Sequence, residues 1–179
     1  KAAISAAKKA GAFIKKNYES EHRVSYKDPH NVVSSIDIGA ETIILEHLQK
    51  RFPRHSYFSE EKGMVDNHSD YLWIIDPLDG TTNFTRHFPH FCVSIGLAHK
   101  REIILGAVYQ PFHDELFSAQ KGKGALLNGK RISTGDDQVL AKAVILINRG
   151  ANRKEKLRHG EMVKIMSDQA RTIRIFGAT

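Results

Sequence analysis

The stretch Trp73-Ile74-Ile75-Asp76-Pro77-Leu78-Asp79-Gly80-Thr81-Thr82-Asn83-Phe84 decides how this 179-residue chain reads. With Tyr71 and Leu72 before it, it opens as a short, nearly all-apolar run from Tyr71 to Ile75, as a buried strand requires, and ends in Asp76-Pro77. Two carboxylates straddling a proline at the mouth of a strand repel each other, which makes them a poor choice for stability alone. A divalent cation removes that conflict, and hard oxygen donors suit magnesium, whose octahedral shell is completed by water and phosphate oxygens. Pro77 biases Asp76 toward extended backbone, which can turn the Leu78 carbonyl toward the same ion. Gly80 permits a tight turn, and Thr81-Thr82 then resemble a helix N-terminus whose free N–H groups suit a phosphate. Taken alone, the segment is equally well a turn at Asp79-Gly80 with Asp76 or Thr82 as a helix cap.

Upstream, Glu60 and Glu61 follow the strand-like Tyr57-Phe58, so that a third carboxylate, Glu60, can reach the Asp76 cluster; a solvated Glu-Glu-Lys face is the plainer reading. Ser34 and Asp37 stand in capping-box spacing at the head of a helix expected from about Ser35 to about Arg51. Pro53 ends that helix, and Ile38, Ile44, Leu45, Leu48 and Phe52 form its inward stripe. Asp37 in the first turn is, by itself, explained by the helix dipole. Glu19 to Ser34 reads as a loop or short hairpin broken by Asp28-Pro29. Ile4, Ala7, Gly11, Ile14 and Tyr18 mark one face of an amphipathic helix over Lys1 to Tyr18.

Downstream, Phe91, Val93, Ile95 and Leu97 alternate with Cys92, Ser94, Gly96 and Ala98 before Lys100-Arg101 turns the chain into Glu102 to Tyr109, a hairpin. Leu116 to Ala119 gives another strand, and Gly122, Gly124, Asn128 and Gly129 punctuate the turns that follow. Ala143 to Ile147 reads as a strand, Lys154 to about Asp168 as a helix with Leu157, Met162, Ile165 and Met166 inward, and Thr172 to Phe176 as a strand. The expected fold class is α+β: a mostly antiparallel sheet layered with helices over residues 1–140, carrying the metal site, followed by the start of an α/β layer over 141–179. No internal repeat or heptad series competes.

A hydrophobic content of 41% is that of an ordinary globular chain. No run approaches the ~20 apolar residues a bilayer span needs, and the lysine-bearing start lacks the apolar core of a secretory signal. The lone Cys92 forms neither an internal disulfide nor a cysteine cluster, so the expected location is cytoplasmic, with no membrane partner. The net charge of +7 raises the question of nucleic acid, but the basic residues are dispersed in small groups, which solvated faces explain. Cys92 lies in an apolar alternating strand and reads as core packing. His87 and His90, separated by Phe88-Pro89, read as loop surface or local packing in preference to metal ligands.

Asp76-Pro77-Leu78-Asp79-Gly80-Thr81-Thr82-Asn83-Phe84, with Glu60-Glu61 and Asp37 upstream, resembles the signature of the inositol monophosphatase family of magnesium-dependent, lithium-sensitive phosphomonoesterases. The likeness runs on through Phe88-Pro89-His90-Phe91, Gly106 to Pro111, Asp114-Glu115-Leu116, and Gly122-Lys123-Gly124-Ala125 to Asn128-Gly129. The resemblance implies that Glu60 and Asp76 with the Leu78 carbonyl bind one magnesium ion, and that Asp76 and Asp79 bind a second. It also places Gly80, Thr81 and Thr82 against the phosphate, and has Thr81, aided by Asp37, orient the attacking water; Asp37, Glu60 and Thr81 are the expected catalytic residues. The implied reaction is metal-assisted hydrolysis of a phosphate monoester, inositol monophosphate or a related sugar phosphate. A fructose-1,6-bisphosphatase-type sugar phosphatase and a non-catalytic, RNA-associated binding protein on the same fold are the alternatives, and a homodimer is a further expected assembly. A lysine after Gly-Thr would look more like the branch acting on phosphoadenosine nucleotides, whereas Thr82 resembles the inositol and sugar phosphate branches.

Two departures qualify the likeness. Members of the family continue past a segment resembling Phe176-Gly177-Ala178-Thr179 into a Trp-Asp motif whose aspartate completes the second metal site, and Ile147-Asn148-Arg149-Gly150 differs from the Gly-Phe-Pro run found after this strand. The chain is therefore expected to be the N-terminal portion of a longer enzyme.

Overall fold

A computed structural model of the chain describes residues 1–20, 23–28, 31–135, 139–147 and 152–175. The chain divides into two compact units, Lys1–Ser133 and Thr134–Ala178. In the first, helix α1 (Ala2–Lys16) precedes a hairpin of β1 (Val24–Asp28) and β2 (Asn31–Ser34), then helix α2 (Ser35–Gln49), β3 (Ser56–Ser59), β4 (Gly63–Val65) and β5 (Tyr71–Asp79). A five-residue helix α3 (Thr81–Thr85) leads to β6 (Cys92–His99), β7 (Glu102–Gln110), β8 (Glu115–Gln120), β9 (Gly124–Leu127) and β10 (Lys130–Ile132). Strands β3 to β10 form one sheet in the order β10-β9-β8-β7-β6-β5-β3-β4. Its pairs are antiparallel except for β3 and β5, which run parallel.

One face of this sheet is covered by α1 and α2. The α1 face is built from Ala3, Ala6, Ala7, Ala10 and Gly11, all buried, so the helix backbone lies close to β7. Ile14 and Tyr18 extend the face into a cluster with Phe84 and Phe91, and Ile44 and Leu48 of α2 join Trp73, Ile75 and Ile95 in the same core. The opposite face carries Phe58, Ile74 and Ile103, all exposed. Tyr71 to Ile75 is thus a half-buried alternating strand and not the fully buried run expected: Trp73 and Ile75 face the helices, Ile74 faces away.

Helix α2 ends at Gln49, two residues short of the expected limit, and Ile38 is a correction to its stripe. Ile36, Asp37, Ala40, Glu41, Ile44, Leu45 and Leu48 are the buried positions, while Ile38 is 51% exposed. At ~100° per residue Ile38 lies across the helix from Ile36 and Ala40, a face that apolar identity alone does not reveal.

The second unit holds a 3-10 turn (Leu140–Lys142), β11 (Val144–Leu146), helix α4 (Arg153–Gln169) and β12 (Thr172–Arg174), with β11 and β12 parallel across the helical crossover. Asn152 caps α4 by accepting from the Glu155 N–H at 3.0 Å. Leu157, Met162 and Ile165, expected inward, are exposed at 64%, 39% and 51%; the half-buried stripe runs through His159, Val163 and Met166. Two paired strands of three residues are too small to cover the apolar surface of a helix of 17 residues. Pro29 and the segments 148–150 and 176–179, on which several of the expectations above fall, lie outside the described residues.

Gly11 provides a stability test. A Cβ there would stand 2.5 Å from two carbons of the Tyr109 ring, which is pinned by its hydroxyl donating to Asp114 Oδ1 at 2.8 Å. Overpacking of this kind costs ~1–3 kcal/mol, against ~1 kcal/mol gained from helix propensity. Gly11→Ala is therefore expected to lower the urea midpoint, whereas Gly106→Ala, with nothing within 4 Å of the added atom, changes it little.

Candidate active site

The parallel pairing of β3 with β5 sets Ser59 against Ile75, and the Glu60 N–H continues the ladder to the Ile75 carbonyl at 3.2 Å. Glu60 thereby emerges beside Asp76, at the first residue of the turn that joins β3 to β4. On the other side of β5, Asp76 pairs with Ser94 of β6, and Asp79 pairs with Cys92. Three steps along β5 thus match two along β6, a β-bulge at Pro77-Leu78. In a regular strand, residues three apart point to opposite faces. The bulge restores Asp76 and Asp79 to one side, beside Glu60, and a cleft of about 440 Å³ lined by Glu60, Asp76, Ser94, Phe58, Ile74 and Ile103 opens there.

Electrostatics at this point are unfavourable for bare carboxylates. Burial, then the neighbouring Glu60, then Asp79 push the Asp76 carboxyl up to about 8, and Asp76 shares a hydrogen bond with Glu60. Among the described residues, no group of three or more His, Cys, Asp and Glu side chains is already arranged around a metal position. The donor set nonetheless fits a hard dication: two carboxylates crowd a third, and a positive charge between them replaces repulsion by attraction. The Asp76 carboxylate also accepts from the Leu78 N–H at 3.2 Å, which fixes the bulge.

Beyond Asp79 the chain turns through Gly80, at φ 91°, where only glycine is unstrained, into α3. The Thr81 hydroxyl lies 2.7 Å from Asp37 Oδ1 and 3.0 Å from the Leu78 carbonyl, with one proton for two acceptors. The shorter, charge-assisted bond takes it, leaving the Leu78 carbonyl available. Asp37 is itself buried, and its other oxygen accepts from the Ser34 N–H at 2.8 Å and the Ser34 hydroxyl at 2.5 Å, which completes the capping box. So one aspartate caps α2 and holds Thr81, 44 residues away. Thr82 is exposed on the first turn of α3.

Two residues here make contacts that the sequence does not announce. Cys92 is buried, as core packing requires, but its thiol also donates to Asp79 Oδ2 at 3.8 Å, and burial followed by Asp79 and Asp76 pushes it up to about 12. Glu41 of α2, fully buried, accepts the N–H groups of Glu61 and Lys62, each at 3.0 Å. The visible signal was its position one turn after Asp37 on the buried face of the helix. His87 and His90 lie in the loop after α3, with His87 edge-on to Tyr18 and His90 tilted against Phe88.

A family model described as the inositol monophosphatase family matches residues 1–179. The chain belongs to the inositol monophosphatase family. Inositol monophosphatase 2 of Solanum lycopersicum is 40% identical over 160 residues, which cover 87% of this chain and 60% of that protein. Nus factor SuhB of Escherichia coli (strain K12) is 44% identical over 133 residues, covering 73% of this chain and 50% of that protein. The crystal structure of the extragenic suppressor protein SuhB from Bartonella henselae superposes with a TM-score of 0.92 at 34% identity, covering 99% of this chain and 69% of that one. This member of the inositol monophosphatase family thus spans between half and three fifths of the length of these two curated relatives. The expected fold class, a mostly antiparallel sheet layered with helices and followed by the start of an α/β layer, is that of the family's solved structures.

The raised Asp76 carboxyl makes a prediction for the metal-free protein. With a folded value of about 8 against 3.8 for the free group, the folded chain keeps a proton that the unfolded chain has released. The stability this contributes is complete below about pH 4 and is lost as pH rises toward about 8. In EDTA, the urea midpoint is expected to fall between about pH 5.5 and about pH 8.5, and to fall less in Asp76→Asn. An equal slope in the variant would show that another group is responsible.

Proposed function

We propose that this chain is the front part of a magnesium-dependent phosphatase that hydrolyses a phosphate monoester, with inositol monophosphate or a related sugar phosphate as substrate. The observation that carries the reading is the Asp37–Thr81 hydrogen bond standing one bulge away from Asp76, which is itself crowded by Glu60 and Asp79. In this reading Glu60, Asp76 and the Leu78 carbonyl hold one magnesium ion, and Asp76 and Asp79 contribute to a second. Magnesium held there supplies a Lewis acid that lowers the pKa of water and neutralises charge on the departing oxygen. Asp37 draws the Thr81 proton toward itself, so that the Thr81 oxygen accepts from a water and fixes its orientation. Gly80, Thr81 and Thr82 lie against the phosphate. One water is consumed as the P–O ester bond breaks, giving the free alcohol and inorganic phosphate.

A Ser-like role for Cys92 is not part of this scheme, since a thiol pushed up to about 12 stays protonated at neutral pH. No helix among the described residues is long and apolar enough to cross a membrane, and the proposed location is the cytoplasm. Fructose 1,6-bisphosphate is the competing substrate within the same chemistry. A second reading, an RNA-associated binding role on this fold, is favoured by the net charge of +7. It predicts RNA affinity that is strong at physiological salt and falls steeply as salt rises.

The test is phosphate release by the full-length protein from inositol monophosphate, fructose 1,6-bisphosphate and a nucleoside 2′-phosphate, with and without magnesium. Asp76→Asn is expected to lower kcat by about a hundredfold or more, since changes one shell further out already cost 10–100-fold. Near-normal turnover in that variant removes the two-ion assignment. Cys92→Ser preserves a donor to Asp79 and is expected to stay within about threefold of the parent, a change worth less than one hydrogen bond. A folded Cys92→Ser protein without turnover would instead bring the thiol into the mechanism.

A further inference from the structure

Glu41 is 0% exposed, yet it is a carboxylate, and burying one costs several kcal/mol unless its surroundings compensate. Its compensation is specific. Oε1 accepts two consecutive backbone N–H groups, from Glu61 and Lys62, while Oε2 has no hydrogen-bond partner among the described residues. The two donors belong to the turn between β3 and β4, whose residues are half-buried at Glu61 and exposed at Lys62, while the N–H groups themselves point inward at the buried Oε1. An apolar residue at position 41 would pack against the same core without the unsatisfied oxygen, but it would leave the Glu61 and Lys62 N–H groups without their acceptor. What the carboxylate does here is tie the Glu61-Lys62 backbone to α2.

The turn it grips begins with Glu60. Ladder pairing of the Glu60 N–H with Ile75 fixes the near side of that turn, and Glu41 fixes the far side from the opposite layer. Asp37 and Glu41 stand four apart on the buried face of α2, and each reaches a different segment: Asp37 holds Thr81 and Glu41 holds Glu61 and Lys62. Resting on the phosphatase reading above, we infer that Glu41 is a positioning residue, which holds the Glu60 turn so that the Glu60 carboxylate faces Asp76. It touches neither metal nor substrate and acts through the backbone of its neighbours.

Three variants of the full-length protein test this, with magnesium affinity read by calorimetry and the Glu61 and Lys62 amides read by hydrogen exchange. Glu41→Leu keeps the volume and removes the acceptor; it is expected to weaken magnesium binding about tenfold or more and to expose both amides. Glu41→Gln keeps one acceptor oxygen and is expected to retain protection and affinity within about threefold. Ile44→Val, buried one turn further along α2, lowers the thermal midpoint without changing magnesium affinity, which separates positioning from general destabilisation. Where Glu41→Leu does not fold, Glu41→Asp shortens the reach by one methylene and carries the same expectation. Unchanged magnesium affinity in a folded Glu41→Leu or Glu41→Asp protein overturns the inference. If the parent protein itself binds no magnesium, the phosphatase reading fails, and amide exchange alone then decides Glu41: protection lost only in the variant without the acceptor supports its hold on the turn, and unchanged protection refutes it.

Discussion

A one-residue bulge at Pro77-Leu78 is the constraint on which the site depends. A regular β5 would send Asp76 and Asp79 to opposite faces of the sheet, one into the helix-covered core and one outward. The bulge places both on the open side, at the cost of an interruption of the β5–β6 ladder between Asp76 and Asp79. Part of that cost is offset locally, since the Leu78 N–H finds the Asp76 carboxylate. Proline at 77 removes a donor that the bulge would otherwise leave unpaired.

The second layer answers this arrangement. Glu60, at the head of the β3–β4 turn, would relax away from Asp76 and Asp79 on β5 if that turn were free. Helix α2, docked on the covered face, bonds that turn through Glu41, which accepts the Glu61 and Lys62 N–H groups. Asp37 serves its own helix as a cap and the distant Thr81 as an acceptor, so the start of α2 and the start of α3 are held by a single side chain. The close approach of α1 through its alanines and Gly11 leaves room for α2 beside it, and both helices contact the central strands.

Much of this was legible in the chain. Asp76-Pro77 marks the chemistry but not the strand end expected there: β5 runs on through Pro77 to Asp79, because the ladder resumes at Cys92 after the bulge that a proline in a central strand signals. Ser34 and Asp37 gave the helix start to the residue, because a capping box is a local exchange of two hydrogen bonds. What could not be read were features that depend on partners far along the chain. Glu41 looks like any helix acid until the turn at Glu61 folds back on it, and Cys92 shows its bond to Asp79 only once the register of β5 against β6 is known. The parallel pairing of β3 with β5, which puts Glu60 beside Asp76, is likewise a matter of topology. Ile38 and the outward Leu157 and Ile165 mislead for the converse reason: apolar identity does not say which face a neighbouring layer will cover.

The two borders of the eight-stranded sheet differ from its centre in a way that bears on how molecules of this protein meet. A sheet edge is a row of unpaired N–H and C=O groups, an invitation to another strand. At one edge stands β10, three residues long, carrying Lys130 and Arg131, the latter folded back to donate to the Lys123 carbonyl at 3.3 Å; at the other stands β4, equally short and entered through Gly63 in a left-handed turn at φ 72°. Neither offers an incoming strand more than a few hydrogen bonds, and β10 adds charge that a second copy would have to bring against its own. The long strands β5, β6 and β7, which would template well, are confined to the interior of the sheet, so its growth by edge-to-edge addition is blocked at both ends.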